Sequence, residues 1–392
     1  MTNTLSLRLA TALAAAMLPA GAAIAQTAPA PAASQSEDMR LTAFLDAEFD
    51  AYVKTQPQLA TRLGIKEGGD RWNDNSDEAA RAEAQWRKDS AARMKAQFDR
   101  AKLSPQAQVN YDIWALEAER AEVSLANRIF RPPFYSRLYS AHSQLPDFLI
   151  NTHTVADVTD LKNYIARLRG MPAVLDRALE RTQASQQAGI NPPRFQLETI
   201  IEGSRKLTSG APFGDGPDAA LWADVKAKTA ALVAGGTLPQ AQADALLEEA
   251  EAAIIALQPA YGRVIAWAEA SLPTAPSGKV GALTLPGGLD YYERELKLVT
   301  TTNMTAAEIH ATGRAEVARI EAEQDALAKQ AGFADRHAFY AERKRLYPPR
   351  PYDDAARKEY LDTANAFVTR TRALLPGWFG ILPAYGIEVV RE

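Results

Sequence analysis

The four histidines of this chain, His142, His153, His310 and His337, are the side chains best suited to hold a catalytic metal. A zinc hydrolase built on a helix needs two imidazoles about one turn apart and a carboxylate that activates water. No two of the four histidines are that close in sequence. A joint site of His142 and His153 would depend on the tertiary fold, and the sequence favours ordinary hydrogen-bonded histidines at both positions. We therefore predict no metal ligand in this chain.

Other common catalytic patterns are also missing from the sequence. With no cysteine, thiol nucleophiles, thiolate ligands and disulfides are excluded. The Gly-x-Ser-x-Gly turn of serine hydrolases and the glycine-rich phosphate loops do not occur. Asn73, Asn75 and Asp77 have the first spacings of a calcium loop, but Glu78 replaces the required glycine and Ala84 the closing glutamate. That segment is instead typical of a helix N-terminus.

One hydroxyl-rich stretch is a candidate substrate cleft. Tyr291 and Tyr292 precede three threonines at 300–302, and paired phenols beside hydroxyls can donate to a carbonyl or an oxyanion. The alternative is a strand with one tyrosine packed and one exposed. His310 lies in the first turns of a capped helix and is either a partly buried polar residue or a further cleft side chain. The candidate substrate-cleft residues are Tyr291, Tyr292, Thr301 and His310.

Helical periodicity dominates the elements that must position these residues. Apolar residues recur every three to four positions through most of the chain, including a helical hairpin over 155–188. Thr305 and Glu308 have the spacing of a capping box, which predicts a helix start. Short apolar or β-branched segments at 280–301 and 387–390 predict a small β element near 280–301 and another at the C-terminal end. The predicted fold class is therefore mainly α.

The amino terminus has the three parts of a secretory signal. A basic start is followed by an apolar run over 9–24. The small residues that end at Ala25 predict cleavage after Ala25, so 1–25 is the predicted signal peptide. Residues 26–36 carry no charge and no large apolar side chain, so they predict a disordered lead-in. The remaining 37–392 form the helical region. We expect a periplasmic or secreted protein with no membrane association after signal cleavage.

The charge pattern argues against a nucleic-acid partner. The chain has 44 Lys plus Arg against 48 Asp plus Glu, and the two signs alternate along helices instead of forming blocks. No basic patch of the kind that binds a phosphate backbone is visible. The sequence does not indicate the oligomeric state.

Five groups of short segments are distinctive enough to compare with known families. In chain order they are Leu59-Ala60-Thr61-Arg62-Leu63-Gly64-Ile65 with Asp70-Arg71-Trp72, Leu145-Pro146-Asp147-Phe148-Leu149, Tyr291-Tyr292 with Thr300-Thr301-Thr302, Glu308-Ile309-His310 with Gly313 and Glu316-Val317-Ala318-Arg319-Ile320, and Leu375-Pro376-Gly377-Trp378-Phe379-Gly380. Together they resemble the exported bacterial family named domain of unknown function 885 (DUF885). The resemblance covers nearly all of the mature chain.

This resemblance implies a helical zinc metallopeptidase of the thermostable carboxypeptidase type, in which two long helical walls enclose a deep cleft. It also implies a peptide substrate and, for the full-length family protein, a zinc cofactor. The family's zinc motif is a His-Glu pair followed shortly by Pro-Gly-His-His, and it lies beyond the matched region. No residue here matches a metal ligand or the catalytic glutamate, so the catalytic residues are unassigned.

Two functional classes follow. In the first, this chain is the N-terminal, cleft-wall portion of an exported zinc-dependent peptidase and is inactive alone. In the second, it is a non-catalytic periplasmic binding or scaffold protein. We expect a gene product longer than this chain, because the strand predicted at 387–390 has no partner and the family continues into its zinc-binding half. We also expect the apolar faces of the helices at 305–331 and 354–374 to be partly uncovered.

Overall fold

The computed structural model describes residues 36–135, 140–349, 353–382, 384–387 and 389, and its regular structure is almost entirely helical. The α-helices are α1 (Glu37–Thr55), α2 (Pro57–Arg62), α3 (Asp77–Gln97), α4 (Pro105–Ala126), α5 (Ala141–Asp147), α6 (Val158–Gln187), α7 (Arg194–Leu207), α8 (Ala220–Ala234), α9 (Gln240–Ile255), α10 (Leu257–Ser271), α11 (Gly288–Thr300), α12 (Ala306–Gln330), α13 (Arg336–Leu346) and α14 (Asp354–Trp378). The mainly α prediction is confirmed. The predicted signal peptide and nearly all of the predicted lead-in lie outside the described residues.

The chain divides into two compact units, Met1–Tyr291 and Tyr292–Glu392. In the first unit, α6 packs against α5, α8, α9 and α10, and α7 packs against α10. These helices enclose the main hydrophobic core. A smaller core lies between α1, α3 and α4. In the part of the chain that the structure describes, no helix is long and apolar enough to cross a membrane.

Helix α6 is the central element of the first unit. It begins at the N-cap Asp157, whose carboxylate accepts from the Asp160 amide, and it ends before Gly189, which has a left-handed φ of 85°. Its fully buried side chains recur at helical spacing, and they include Leu161, Leu168 and Leu175. Each such leucine contributes about 1.5–3 kcal/mol by burial. The long stripe explains why this helix persists for 30 residues.

A buried guanidinium joins α6 to the loop after α2. The Arg167 side chain is fully buried, and its nitrogens donate to the carbonyl oxygen of Arg71 at 2.9 Å, to Nδ1 of His153 at 3.0 Å and to Oγ1 of Thr61 at 2.8 Å. The carbonyl oxygen of Pro57 accepts a further hydrogen bond at 3.2 Å. A buried charge is tolerated only when its donors are satisfied. Neutral acceptors satisfy the donors of Arg167 here, and these hydrogen bonds fix the path of residues 57–71.

Aromatic rings cover the same guanidinium. Its carbon lies 5.0 Å from the ring centroid of Phe148 and 5.8 Å from that of Trp72, which are cation–π distances. The indole N–H of Trp72 donates to the Arg167 carbonyl oxygen at 2.8 Å. A Cβ at Gly170 would lie 3.3 Å from the Trp72 ring, so the missing side chain makes room for the indole.

The helical hairpin predicted over 155–188 is wrong, because α6 is one continuous helix. Gly170 and Pro172 are residue types that favour a turn, and Pro172 does remove one helical N–H. The glycine instead accommodates Trp72, and burial of Met171 and Leu175 on either side of the proline stabilises the helix. Tertiary packing therefore outweighs the local turn signal.

The β element predicted near 280–301 is also wrong. Residues Ala282–Thr284 form a 3-10 turn, and 288–300 form α11. Gly288 starts this helix against the Ala282 carbonyl, where an added Cβ would lie only 1.7 Å from that oxygen. Leu289, Tyr292, Leu296 and Val299 have helical spacing, and the β-branched residues at the end of the segment obscured that period.

At the C-terminal end, the predicted strand at 387–390 is not formed by the residues that can be assessed. Ile387 and Val389 are not in a strand, and Val389 instead exchanges hydrogen bonds with the Asn365 side chain of α14. Glu388 and Val390 lie outside the described residues. Over the described ranges, the one β-type pairing is the isolated bridge between Ala211 and Asp218.

The second unit contains α12, α13 and α14 with most of α11. The Thr305–Glu308 capping box is present at the start of α12, as predicted. Among the described residues of this unit, Ala328 alone is buried. Apolar side chains on α12 and α14, including Leu327, Phe367 and Trp378, are more than half exposed. The structure thus shows the uncovered apolar faces that the sequence led us to expect.

We predict that Arg167→Met lowers the free energy of unfolding by about 3 kcal/mol or more, because several buried acceptors would lose their donor at once. The matched variant Arg169→Met lies two residues away and removes an exposed ion pair with Glu249, which is worth less than about 1 kcal/mol. Urea unfolding of both variants measures the difference. Equal losses would contradict the central role of Arg167.

Candidate binding cleft

A cleft of about 880 Å³ opens in the first unit, within the roughly 300–1,000 Å³ typical of ligand pockets. Its walls come from α2, residues 130–135, α5 with the π-helical turn Phe148–Thr152, one face of α6, the start of α7, and residues 280–291. The aromatic lining residues are Phe130, Tyr135, Phe148, Phe195 and Tyr291. The charged lining residues are Arg62, Arg131, Arg177, Arg181 and Asp147. The cleft therefore combines apolar walls with an excess of positive charge.

One face of α6 supplies two of these arginines. Val174, Arg177, Ala178 and Arg181 all line the cleft, and their i, i+3, i+4, i+7 spacing places them in one row. Arg177 is exposed, and Arg181 is partly buried. The long rigid helix therefore presents two guanidinium groups one turn apart.

Helix α2 contributes another wall of the cleft, and Arg167 holds this helix in place. Pro57 and Thr61 contact Arg167, whereas Gln58 and Arg62 line the cleft. Each pair is separated by four residues, so the two pairs occupy different faces of this short helix. Arg62 also lies over the Phe148 ring, at 5.8 Å from its centroid. The position of Arg62 therefore depends on the buried guanidinium beneath it.

Residues 280–291 form another wall. Tyr291 stacks on Phe130 with ring centroids 4.6 Å apart and planes 12° apart. Gly189, at the end of α6, lies against Pro286, and a Cβ there would be 3.0 Å from the proline ring. Burial and the nearby Tyr291 raise the pKa of Tyr135. The Tyr135 phenol therefore stays neutral near pH 7, and the hydroxyls of Tyr135 and Tyr291 can both donate hydrogen bonds.

Two guanidinium groups share one carboxylate beside the cleft. Nε of Arg128 lies 2.6 Å from Oδ1 of Asp77, and Nε of Arg181 lies 4.0 Å from the same oxygen. Burial lowers the pKa of Arg181 to about 10, Arg128 lowers it further, and Asp77 partly offsets this. Arg181 nevertheless remains protonated at neutral pH. One shared carboxylate leaves positive charge available at the cleft.

Arg177 makes no ion pair within the described residues. It contributes to the lowered pKa of Asp74, although the main cause there is the hydrogen bond from the Ser76 amide. Ser76 also caps α3, so the segment resembling a calcium loop is a helix N-terminus, as predicted.

Gln196 contributes an unsatisfied acceptor to the cleft. Its Oε1 is buried and has no hydrogen-bond partner among the described residues, and its side chain lines the cleft at the start of α7. An unsatisfied buried polar atom costs about 1–3 kcal/mol. A ligand N–H would remove that cost.

The four candidate residues do not share one environment. Tyr291 lines the cleft of the first unit. Tyr292 is the next residue of α11 and points about 100° away from it around the helix axis. Thr301 and His310 are exposed residues of the second unit, and Thr301 has a left-handed φ of 52° at the end of α11.

Both central histidines are buried, and each has its own partners. Nδ1 of His142 lies 2.9 Å from Oγ of Ser140, whereas Nδ1 of His153 accepts from Arg167. Burial lowers the pKa of each imidazole to about 4, and in His153 the Arg167 charge lowers it further. Both are therefore neutral packing residues of the fold at pH 7.

Zinc does not fit the side chains of the described segments. No three histidine, aspartate or glutamate residues converge there in a way that could hold a metal ion. His142 and His153 already use a ring nitrogen in the core, and His310 is exposed on α12. The predicted absence of metal ligands remains a prediction for the whole chain.

Sequence reasoning missed most of the cleft. Arg177, Arg181, Phe195 and Gln196 were not among the candidates, and only Tyr291 was. The α6 spacing was visible in the sequence, but two charged residues on a helix are more often a solvated face. Their role depends on 280–291 lying nearby, which required the tertiary fold.

Comparison with known proteins identifies a family and a fold. A family model described as "Bacterial protein of unknown function (DUF885)" matches residues 57–392. The crystal structure of "the putative lipoprotein from Colwellia psychrerythraea" is similar, with a TM-score of 0.72, 18% sequence identity and 90% of this chain covered. The present chain spans 62% of that protein. No curated protein sequence matches the chain.

The neutral histidines predict a pH dependence of stability. In the unfolded chain they take up protons near pH 6.5, whereas in the folded protein they do so only near pH 4, so stability falls as the pH drops from 6.5 to 4. Each contributes roughly 2–3 kcal/mol to that fall. His142→Gln and His153→Gln should each flatten the curve relative to the unsubstituted protein. Denaturant unfolding at several pH values tests this, and unchanged slopes would contradict it.

Proposed function

This chain belongs to the bacterial family DUF885, and we propose on that basis that it forms the peptide-binding cleft of an exported family protein. The observation that carries the proposal is the cleft of the first unit, with its aromatic walls and arginine side chains. Aromatic rings bind apolar side chains over a large area at low entropic cost. Arginines bind carboxylates in a planar, bidentate geometry. A peptide offers both groups on one molecule.

Two further features support a peptide ligand. The unsatisfied Gln196 Oε1 needs an N–H donor, and every peptide bond that does not involve proline supplies one. The phenols of Tyr135 and Tyr291 can donate to peptide carbonyls. The cleft therefore offers donors, an acceptor and apolar contacts.

Export is part of the proposal. It rests on the signal-like residues 1–25 and on the similarity in fold to a protein described as a lipoprotein. The expected location is periplasmic or secreted, as the sequence predicted. The lipoprotein description applies to the Colwellia protein, and no lipid attachment is proposed for this chain.

The resemblance to zinc metallopeptidases implies zinc-dependent hydrolysis for the full-length family protein. The described residues offer no ligand set for zinc, so the role proposed for this chain is binding and not bond cleavage. The alternative, a non-catalytic binding or scaffold protein, uses the same cleft. Both of these roles predict that the purified chain hydrolyses no peptide, so a hydrolysis assay distinguishes them from an active peptidase.

We predict that the 392-residue chain binds short peptides with aromatic side chains and does not hydrolyse them. Phe195→Ala should weaken binding about five- to tenfold, because an aromatic contact contributes roughly 1 kcal/mol or more. Isothermal titration calorimetry measures the affinity, and chromatography of the recovered peptide measures cleavage.

The matched control is Phe339→Ala, which removes a partly exposed phenylalanine of the second unit and should leave the affinity unchanged. Failure of all tested peptides to bind would contradict the proposal. Stoichiometric zinc retained after dialysis, together with cleavage that a chelator abolishes, would show instead that this chain is itself a peptidase.

A further inference from the structure

We propose that Arg177 and Arg181 form a carboxylate subsite, which selects peptides that present a free carboxylate beside an aromatic side chain. The inference rests on the proposed peptide-binding function and adds the chemical feature by which the ligand is recognised. The carboxylate is either the C-terminus of the peptide or an acidic side chain, and both would use the same pair of guanidinium groups.

Arg177 and Arg181 lie one turn apart on the rigid helix α6, and both line the cleft. Residues at this spacing have Cβ atoms about 5–6 Å apart. Long side chains that start from two such positions can bring both guanidinium groups to the two oxygens of one carboxylate.

The charges around the two arginines are not balanced by the carboxylates near them. Arg177 has no ion-pair partner within the described ranges, and Arg181 is 4.0 Å from an Asp77 carboxylate that Arg128 binds at 2.6 Å. Among the described residues that line the cleft, the one acidic residue is Asp147, which accepts a hydrogen bond from Asn151 at 2.7 Å. These carboxylates leave uncompensated positive charge along this row of α6, which attracts an anion. A bound carboxylate would supply that anion.

The side chains around the two arginines favour a peptide over a bare inorganic anion. Gln196 Oε1 is a buried acceptor without a partner among the described residues, and an acceptor repels an anion that carries no proton, such as sulfate. An amide N–H next to a carboxylate satisfies both Gln196 and the arginines. Phe195 and Tyr291 in the same cleft can hold the adjacent apolar side chain.

The test uses titration calorimetry on the 392-residue chain with four probes. They are the tripeptide Gly-Gly-Phe with a free C-terminus, the same peptide as its C-terminal amide, the amide of Gly-Asp-Phe, and 3-phenylpropionate. Arg177→Gln should weaken binding of the free acid about tenfold or more, since it removes a charge-assisted hydrogen bond. Arg177→Lys should restore part of the loss, and binding should weaken as salt is raised.

Arg169→Gln is the matched control on the same helix, because Arg169 pairs with Glu249 and does not line the cleft. Its affinity should equal that of the unsubstituted protein. Arg181→Lys is the second cleft variant, chosen because it keeps the charge near Asp77 and so preserves the fold. It should weaken binding of the free acid while the unfolding transition is unchanged.

The outcomes separate the inference from the proposed function. Tight binding of the free acid alone identifies the C-terminal carboxylate, and equal binding of the Gly-Asp-Phe amide identifies an acidic side chain. Equal affinity for the free acid and the Gly-Gly-Phe amide, with no effect of Arg177→Gln, would overturn the subsite while peptide binding stands. If no peptide binds but 3-phenylpropionate does so in an Arg177-dependent way, the subsite stands and the peptide function fails.

Discussion

A single buried cation constrains the first unit. Arg167 lies fully inside the protein, and neutral oxygens and an imidazole nitrogen satisfy its donors in place of a bonded carboxylate. Leaving such a charge unpaired would cost several kcal/mol, so the surrounding backbone must keep its carbonyls in position. The guanidinium therefore fixes α2, the loop that follows it and the π-helical turn as one arrangement. Those elements are walls of the cleft.

The segments of the first unit that carry the family resemblance meet at this cation and the cleft beside it. Thr61, Arg71 and Trp72 contact Arg167 directly, and Phe148 covers it. Tyr291 lines the cleft that these elements border. The distinctive residues of the first unit thus act mainly as supports for the proposed binding surface. The groups proposed to contact the ligand, on α6 and α7, lie between those supports.

Local signals predicted local features well. The helix N-terminus predicted around Asn75 and Asp77 and the capping box that opens α12 are both present, because each depends only on nearby backbone. Segments whose fate depends on distant partners were predicted wrongly. The segment 155–188 is one helix and not the predicted hairpin, in part because Gly170 packs against Trp72, which is far away in sequence. A β element was predicted near 280–301 because threonines at its end concealed the helical period of α11. The arginines of the cleft were missed because a charged helix face becomes a binding wall only when other elements close around it.

The buried cation holds α2 beside the arginine row of α6, and the central proposal is that a peptide carboxylate binds between Arg177 and Arg181. The most direct test is a crystal structure of the protein soaked with an aromatic tripeptide that has a free C-terminus. We predict density in the cleft of the first unit, with the carboxylate in contact with both guanidinium groups and a peptide N–H on Gln196 Oε1. A peptide bound away from α6, or bound with its carboxylate in solvent, would contradict the account.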